Sequence, residues 1–203
     1  MNKITSITLI IIFFLFSSLN ANEISVLEIT ESDFVVGNEN APITIIEYAS
    51  MSCSHCASFH NNTLGDIKTE YIDTGKVRFV FRDFPFDYPA LLGSMVMQCI
   101  PKDIRYDYMN ALYMLQHNWI FRENTKTKQE LYKIMQSGGM TKNEFDSCLS
   151  NADLENYILE GVMAAQKEFD IRSTPSFLVN GKLIEGNKNI KEFRQIIDKI
   201  LSE

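Results

Sequence analysis

The feature that most constrains the fold is a strand-like run followed at once by two closely spaced cysteines. Residues 43–49, Ile-Thr-Ile-Ile-Glu-Tyr-Ala, are rich in β-branched side chains and predict a largely buried strand. Three residues later comes Cys-Ser-His-Cys at residues 53–56, where a helix is predicted to begin and to run to about Tyr71. A second strand is predicted over residues 77–84. Strand, helix and strand in this order predict a right-handed parallel crossover unit.

The end of the chain predicts a hairpin and a helix. Residues 176–179 and 182–185 have the pattern of two strands, and Asn180-Gly181 joins them. Asn-Gly is a strong hairpin signal because both residues tolerate positive φ. An amphipathic helix is predicted to start near Ile190.

Between these two parts lies a long stretch with a helical pattern, at residues 88–169. It has no strand signal, and residues 141–144 have the form of a capping box. We therefore expect an α/β fold in which residues 22–87 and 170–203 form one domain and residues 88–169 form a helical insertion.

The first 21 residues have the pattern of a secretory signal peptide. Lys3 precedes a short apolar run, small or polar residues follow up to Ala21, and the first acidic residue is Glu23. The run is short for a transmembrane helix, although a retained membrane anchor is an alternative. Export implies an oxidising compartment, in which disulfides persist, and the periplasm is the expected location.

Composition and charge exclude several classes of protein. A hydrophobic fraction of 45% and a charged fraction of 22% are ordinary for a soluble globular protein, and indicate neither disorder nor a multispan membrane protein. Without Lys3, the formal net charge of −7 becomes −8, which argues against binding to nucleic acid.

The two cysteines of residues 53–56 predict redox chemistry. Cysteines three residues apart on the first turn of a helix lie on one face, close enough to form a disulfide. The unpaired N–H groups and the positive dipole end of that turn stabilise an anion, so the Cys53 thiol should ionise easily. His55 can add a positive charge or a hydrogen bond. A stabilised thiolate makes the corresponding disulfide a stronger oxidant, with Cys53 as the nucleophile and Cys56 as the resolving thiol.

Three other uses of this cysteine pair are alternatives to redox chemistry. A c-type haem site needs His directly after the second cysteine, where this chain has Ala57. Zinc could use Cys53, Cys56 and His60, but no second closely spaced ligand pair exists, so we expect no metal. A purely structural disulfide is a third alternative, although closing so short a loop removes little entropy from the unfolded chain.

Two local motifs resemble the DsbA family of thioredoxin-fold thiol:disulfide oxidoreductases. Residues 45–56 are similar to the active-site strand and helix start of that family, and residues 172–181 are similar to its cis-proline loop. The helical stretch corresponds to the family's insertion, so the resemblance covers about residues 33–202. It implies a thioredoxin fold with an inserted all-helical domain.

The resemblance also implies roles for individual residues. Pro175 would be cis and, with Thr174, would hold an extended substrate segment over Cys53. Glu47 matches the family's buried acid, which could relay a proton to or from Cys56; an edge-strand Glu47 facing water is the alternative. Family members commonly carry Pro at the position of Ser54, so the oxidising strength stays open.

Cys99 and Cys148 lie in the helical stretch and are expected to form a structural disulfide. Such a bridge would clamp two of the insertion helices together. Two separate buried thiols are the alternative, because free cysteine is often buried.

These observations predict an exported enzyme that donates the Cys53–Cys56 disulfide to reduced or unfolded exported proteins. The resemblance implies re-oxidation by a DsbB-like membrane protein; a monomer without a cofactor is expected. A periplasmic reductase or isomerase is the nearest alternative. A chaperone-like binding module that performs no catalysis is an alternative from another class.

Overall fold

The architecture is a five-stranded sheet with helices packed around it, seen in a computed structural model that describes residues 27–203. The strand order is β1-β3-β2-β4-β5. The strands are β1 Phe34–Val36, β2 Ile43–Ala49, β3 Val77–Asp83, β4 Ser176–Val179 and β5 Lys182–Glu185. The helices are α1 Ser54–Asn62, α2 Leu64–Ile67, α3 Tyr88–Gln98, α4 Lys102–Met114, α5 Gln116–Trp119, α6 Asn124–Ser137, α7 Lys142–Leu149, α8 Ala152–Phe169 and α9 Ile190–Leu201. The predicted signal peptide, residues 1–21, lies outside the described residues.

The predicted crossover unit forms the centre of the sheet. Strands β2 and β3 pair in parallel, with Ile45 opposite Phe79. Both of these side chains are fully buried, as a strand covered on both faces requires. The predicted boundaries of β2 are confirmed, and the sheet places the end of this strand directly before Cys53.

The prediction of one continuous helix from Cys53 to Tyr71 is wrong, because the structure divides this stretch into three segments. Helix α1 ends at Asn62, and Thr63 leaves helical geometry with φ −126° and ψ −42°. Helix α2 follows, and the chain then widens into a π-helical segment, Lys68–Ile72. The bend and the wider turn let both α2 and this segment place apolar side chains in the core, which a straight helix would turn partly to solvent.

The hairpin at the end of the chain is confirmed. Strands β4 and β5 are antiparallel, and Asn180 and Gly181 have φ values of 45° and 82°. Strand β4 also pairs with β2, so the hairpin extends the sheet on the side opposite β3. Helix α9 begins with a capping box formed by Asn189 and Glu192.

Strand β1 was not predicted from the sequence. It comprises three residues and runs antiparallel to β3, with Phe34 opposite Phe81. A strand this short shows too little alternation for a period of two to be recognised. It covers one edge of the sheet.

Six helices, α3 to α8, lie between β3 and β4, where the sequence predicted a helical insertion. Apolar side chains of α3 to α7 share one continuous core with the sheet, since Trp119 and Phe145 belong to the same cluster as Phe59 and Phe79. On α8, Ala165 packs in a second cluster with Ile46 and Val80 of the sheet. The helices are therefore packed onto the sheet rather than around a core of their own. In the described part of the chain, no helix combines the length and the apolar composition needed to cross a bilayer.

Candidate active site

The start of α1 separates the two thiols of the predicted redox motif. Cys53 is the N-cap residue, with extended backbone geometry, and is half-buried. Cys56 lies in the first turn and has no exposed surface. Both are free thiols, so the structure describes the dithiol form.

Cys53 lies in surroundings that favour its thiolate. A hydrogen bond from the Cys56 thiol is the largest effect and lowers the pKa of Cys53 to about 5, against the opposing effect of partial burial. The Thr174 side chain and the backbone N–H groups of Cys56 and His55 lower this pKa further. At pH 7 Cys53 is then predominantly a thiolate.

Cys56 has the opposite environment. Burial is the main cause that raises its pKa far above the ordinary value of a thiol. Its hydrogen bond to Cys53 and the negative charge of Glu47 raise this pKa as well. The motif therefore pairs an accessible thiolate with a buried thiol that keeps its proton.

The loop before β4 faces this thiolate. The Thr174–Pro175 peptide bond is cis, and the Thr174 carbonyl oxygen lies 3.4 Å from Cys53 Sγ. The N–H of Gly186 donates to the Pro175 carbonyl at 2.8 Å and fixes the loop to the end of β5. The structure thus brings the two sequence motifs together, although 121 positions separate Cys53 from Thr174.

Glu47 lies beneath the dithiol. It occupies β2, between β3 and β4, and its side chain has no exposed surface, so the water-facing alternative is wrong. Its Oε2 atom is 3.0 Å from Nε2 of His60, which is also buried. His60 therefore contacts a carboxylate, and among residues 27–203 no cluster of His, Cys, Asp or Glu is arranged to hold a metal ion.

The His55 side chain is exposed on the first turn of α1. Its backbone N–H, and not its ring, is among the groups that lower the pKa of Cys53. The expected contribution of the imidazole ring to the thiolate stays a prediction.

Three further contacts at the site were not predicted from the sequence. Gln116 Nε2 donates to the carbonyl oxygens of Met51 at 2.9 Å and of Cys53 at 3.1 Å, which ties α5 to the active-site turn. Ser52 Oγ donates to Asp87 Oδ2 at 2.9 Å, and Asp87 also caps α3. The third is the contact between His60 and Glu47. It alone had a signal in the sequence, because His60 lies one helical turn after Cys56 and shares its face of α1.

Cys99 and Cys148 form a disulfide, the pairing expected from the sequence. Cys99 directly follows α3, and Cys148 lies in α7. The bridge therefore clamps two helices of the inserted segment, as proposed, and belongs to the scaffold rather than to the dithiol site.

Comparison with known proteins assigns the family. A family model described as Thioredoxin matches residues 29–199. A protein of Rickettsia bellii named as a protein-disulfide oxidoreductase is 32% identical over 87% of this chain and 67% of its own length. Disulfide bond formation protein D of Bacillus subtilis is 24% identical over 82% of this chain and 76% of that protein.

Solved structures agree with this result. The crystal structure of α-DsbA1 from Wolbachia pipientis matches with a TM-score of 0.81 at 28% identity, over 87% of this chain and 94% of that one. The chain spans only 63 to 67% of the rickettsial relatives that it matches. The matched region contains the sheet, the dithiol and the helical segment. The chain therefore belongs to the thioredoxin family, in its DsbA-like group of disulfide oxidoreductases.

Proposed function

We propose that this protein oxidises reduced protein substrates by donating the Cys53–Cys56 disulfide. The observation that carries the proposal is the contrast between the two thiols, an accessible Cys53 with a pKa of about 5 beside a buried Cys56 whose pKa is raised. A stabilised Cys53 thiolate favours the reduced enzyme, so the disulfide form gives up its bond readily.

The exchange proceeds in two steps. A substrate thiolate attacks Cys53 Sγ, the bond between Cys53 and Cys56 breaks, and its electron pair passes to Cys56, which takes up a proton. A second substrate thiolate then attacks the substrate sulfur of the mixed disulfide. Cys53 leaves as a thiolate, which is a good leaving group because its pKa is low.

The cis-proline loop supplies the substrate-binding role in this proposal. Thr174 and Pro175 lie against Cys53, so an extended segment placed along this loop would bring its cysteine to the reactive sulfur. Phe86 and Tyr88 are 55% and 44% exposed and flank Asp87, which is bonded to the active-site turn. Exposed aromatic side chains next to a residue that contacts the active-site turn suit unfolded chains, which present apolar segments.

The sequence pattern and the family resemblance support a location for this protein and a class of partners. The signal-like residues 1–21 support export to the periplasm, where newly exported proteins with reduced cysteines are the expected substrates. Each turnover leaves the dithiol, so a re-oxidant is required. By family resemblance it would be a DsbB-like membrane protein, and the enzyme would act as a monomer.

The test is oxidation of a reduced, unfolded protein of known disulfide content by stoichiometric oxidised enzyme. We expect substrate disulfides to form in step with the appearance of enzyme dithiol, and a Cys53→Ser variant to be inactive. Cys99→Ala/Cys148→Ala is the matched control, because it removes two cysteines outside the site and should stay active. Substrate oxidation by Cys53→Ser would refute the proposal.

A further inference from the structure

Two oxygen atoms of Thr174 lie beside the sulfur of Cys53. The Thr174 carbonyl oxygen is 3.4 Å from Cys53 Sγ and accepts a hydrogen bond from the thiol. The hydroxyl of the same residue is close enough to Cys53 to lower the pKa of this thiol. One residue therefore places a hydrogen-bond acceptor and a hydrogen-bond donor beside a sulfur that is only half-buried.

The hydroxyl of Thr174 has no hydrogen-bond partner of its own. Thr174 is only 8% exposed, and among residues 27–203 its Oγ1 atom is buried without a partner. It approaches Cys53 without reaching the geometry of a hydrogen bond. Buried hydroxyl groups are normally paired, because an unpaired one has lost its contacts with water. This donor is therefore available to a small molecule that reaches Cys53 from solvent.

Hydrogen peroxide has the size and the polarity that this arrangement fits. Each of its two oxygens carries one O–H donor and can also accept a hydrogen bond. The oxygen placed against Cys53 Sγ can donate to the Thr174 carbonyl, while the other oxygen accepts from the Thr174 hydroxyl. A donor at this second oxygen stabilises the negative charge that develops there as the O–O bond breaks.

The second thiol of the motif is placed to complete the reaction. Cys56 has no exposed surface and its thiol is bonded to Cys53, so an oxidant from solvent meets Cys53 first. A thiolate that reacts with peroxide becomes a sulfenic acid, which condenses with a neighbouring thiol. Accessible cysteines with a low pKa beside a resolving cysteine are the ones that peroxides oxidise selectively. The pKa of about 5 makes Cys53 such a cysteine.

We propose that the reduced protein is also a peroxidase, in which Cys53 reduces hydrogen peroxide and Cys56 closes the disulfide. The Cys53 thiolate attacks one peroxide oxygen, the O–O bond breaks, and the other oxygen leaves as hydroxide and takes up a proton to form water. Cys53 is now a sulfenic acid. Cys56 Sγ attacks Cys53 Sγ, the S–O bond breaks, and the oxygen leaves with the Cys56 proton as a second water.

The dithiol thus loses two electrons, the peroxide gains them, and the disulfide is restored without a membrane protein. This activity goes beyond the proposed function, since it requires no protein substrate.

The test compares two reagents on the reduced natural protein, hydrogen peroxide and iodoacetamide. Both react with the Cys53 thiolate, but only peroxide has a leaving oxygen that the Thr174 hydroxyl can stabilise. The ratio of the two rate constants therefore cancels the fraction of Cys53 that is ionised. We expect this ratio to be at least about tenfold higher in the protein than in reduced glutathione. Peptide mapping without reduction should find the Cys53–Cys56 disulfide as the product.

Three variants locate the effect. Thr174→Val removes the hydroxyl and should return the ratio to near that of glutathione, whereas Thr174→Ser keeps a hydroxyl and should keep the ratio high. Thr69→Val is the matched control, because it removes an exposed hydroxyl in the π-helical segment and should leave the ratio unchanged.

A ratio in the natural protein equal to that of glutathione would overturn the inference, and this measurement needs no variant to fold. A high ratio that Thr174→Val leaves unchanged would overturn it as well, because the hydroxyl would then have no part in the reaction. Either result leaves the proposed function intact, since donation of the disulfide to a reduced protein is measured separately. Failure of that donation would likewise leave the peroxide result standing.

Discussion

The two cysteine pairs of this protein differ in almost every property that decides the behaviour of a thiol. Cys53 and Cys56 enclose two residues at the start of a helix, and they are free thiols here. Cys99 and Cys148 enclose a long loop between two helices and are bonded, with Cα atoms 6.3 Å apart. The Cys53–Cys56 pair lies against the cis-proline loop, whereas the Cys99–Cys148 pair lies within the helical segment.

The difference shows that the surroundings, and not the cysteines themselves, assign the two roles. A bridge across a long loop restricts the unfolded chain strongly, whereas one across two residues restricts it little. The short pair gains its importance from the hydrogen bonds that stabilise the Cys53 thiolate and from the burial of Cys56. Removal of the short pair should therefore abolish activity, whereas removal of the long pair should lower stability.

The largest expected effect is on activity. Cys53→Ser should lower the rate of substrate oxidation by roughly a thousandfold or more, because the attacking and leaving sulfur is lost. Stopped-flow measurement with a reduced test protein gives the rate. If Cys99→Ala/Cys148→Ala lost as much activity as Cys53→Ser, the division of roles between the two pairs would be wrong.

The next effect is on stability. Cys99→Ala/Cys148→Ala should lower the free energy of unfolding by about 4 kcal/mol, the value for closing a loop of this length in the chain-entropy model. Urea denaturation of the natural protein and the variant, both with the active site reduced, measures the difference. A change below about 1 kcal/mol would show that the bridge is not a structural clamp.

The pH dependence of the reduced protein provides the third test. The pKa of Cys53 is lowered from 9.0 to about 5, so the stability gained from its thiolate is complete only above about pH 9. This contribution is lost as the pH falls through about 5. The reduced protein should therefore gain stability relative to the oxidised protein as the pH rises from 5 to 9.

Denaturation of both redox forms across this range measures the effect, and the ultraviolet absorbance of the thiolate gives the pKa directly. The Cys53→Ser variant is the control, since its stability should not follow this curve. A thiolate that appears only near pH 9 would contradict the geometry described for Cys53.

The smallest predicted effect tests how the helical segment supports the site. Gln116→Leu removes the donor to two carbonyl oxygens of the active-site turn, which should lower the free energy of unfolding by about 1–3 kcal/mol. Substrate oxidation should slow several-fold because Cys53 is held less firmly. Gln136→Leu, at an exposed position on α6, is the matched control, and equal effects of the two changes would sink this role for Gln116.

Much of this site could be predicted from the sequence because its signals are local. The strand at Ile43–Ala49, the cysteines at positions 53 and 56 and the Asn180-Gly181 turn each depend on neighbouring residues. The resemblance to the DsbA family added the cis peptide bond at Pro175, for which X-Pro base rates alone give little support.

The features that escaped prediction depend on contacts between distant residues. Gln116 lies 63 positions after Cys53, and nothing near it in the sequence indicates the carbonyl oxygens that it contacts. His60 could be seen to share a helix face with Cys56, but its pairing with Glu47 requires the packing of α1 on β2. The bend at Thr63 likewise occurs without a proline that would predict it.

The most direct test of the central claim is the equilibrium between the Cys53–Cys56 pair and glutathione at pH 7. A stabilised Cys53 thiolate predicts that a mixed buffer of reduced and oxidised glutathione converts the enzyme largely to its dithiol. Under the same conditions, a thioredoxin disulfide would stay oxidised. An enzyme that also stays oxidised in this buffer would contradict the account and identify a reductant instead.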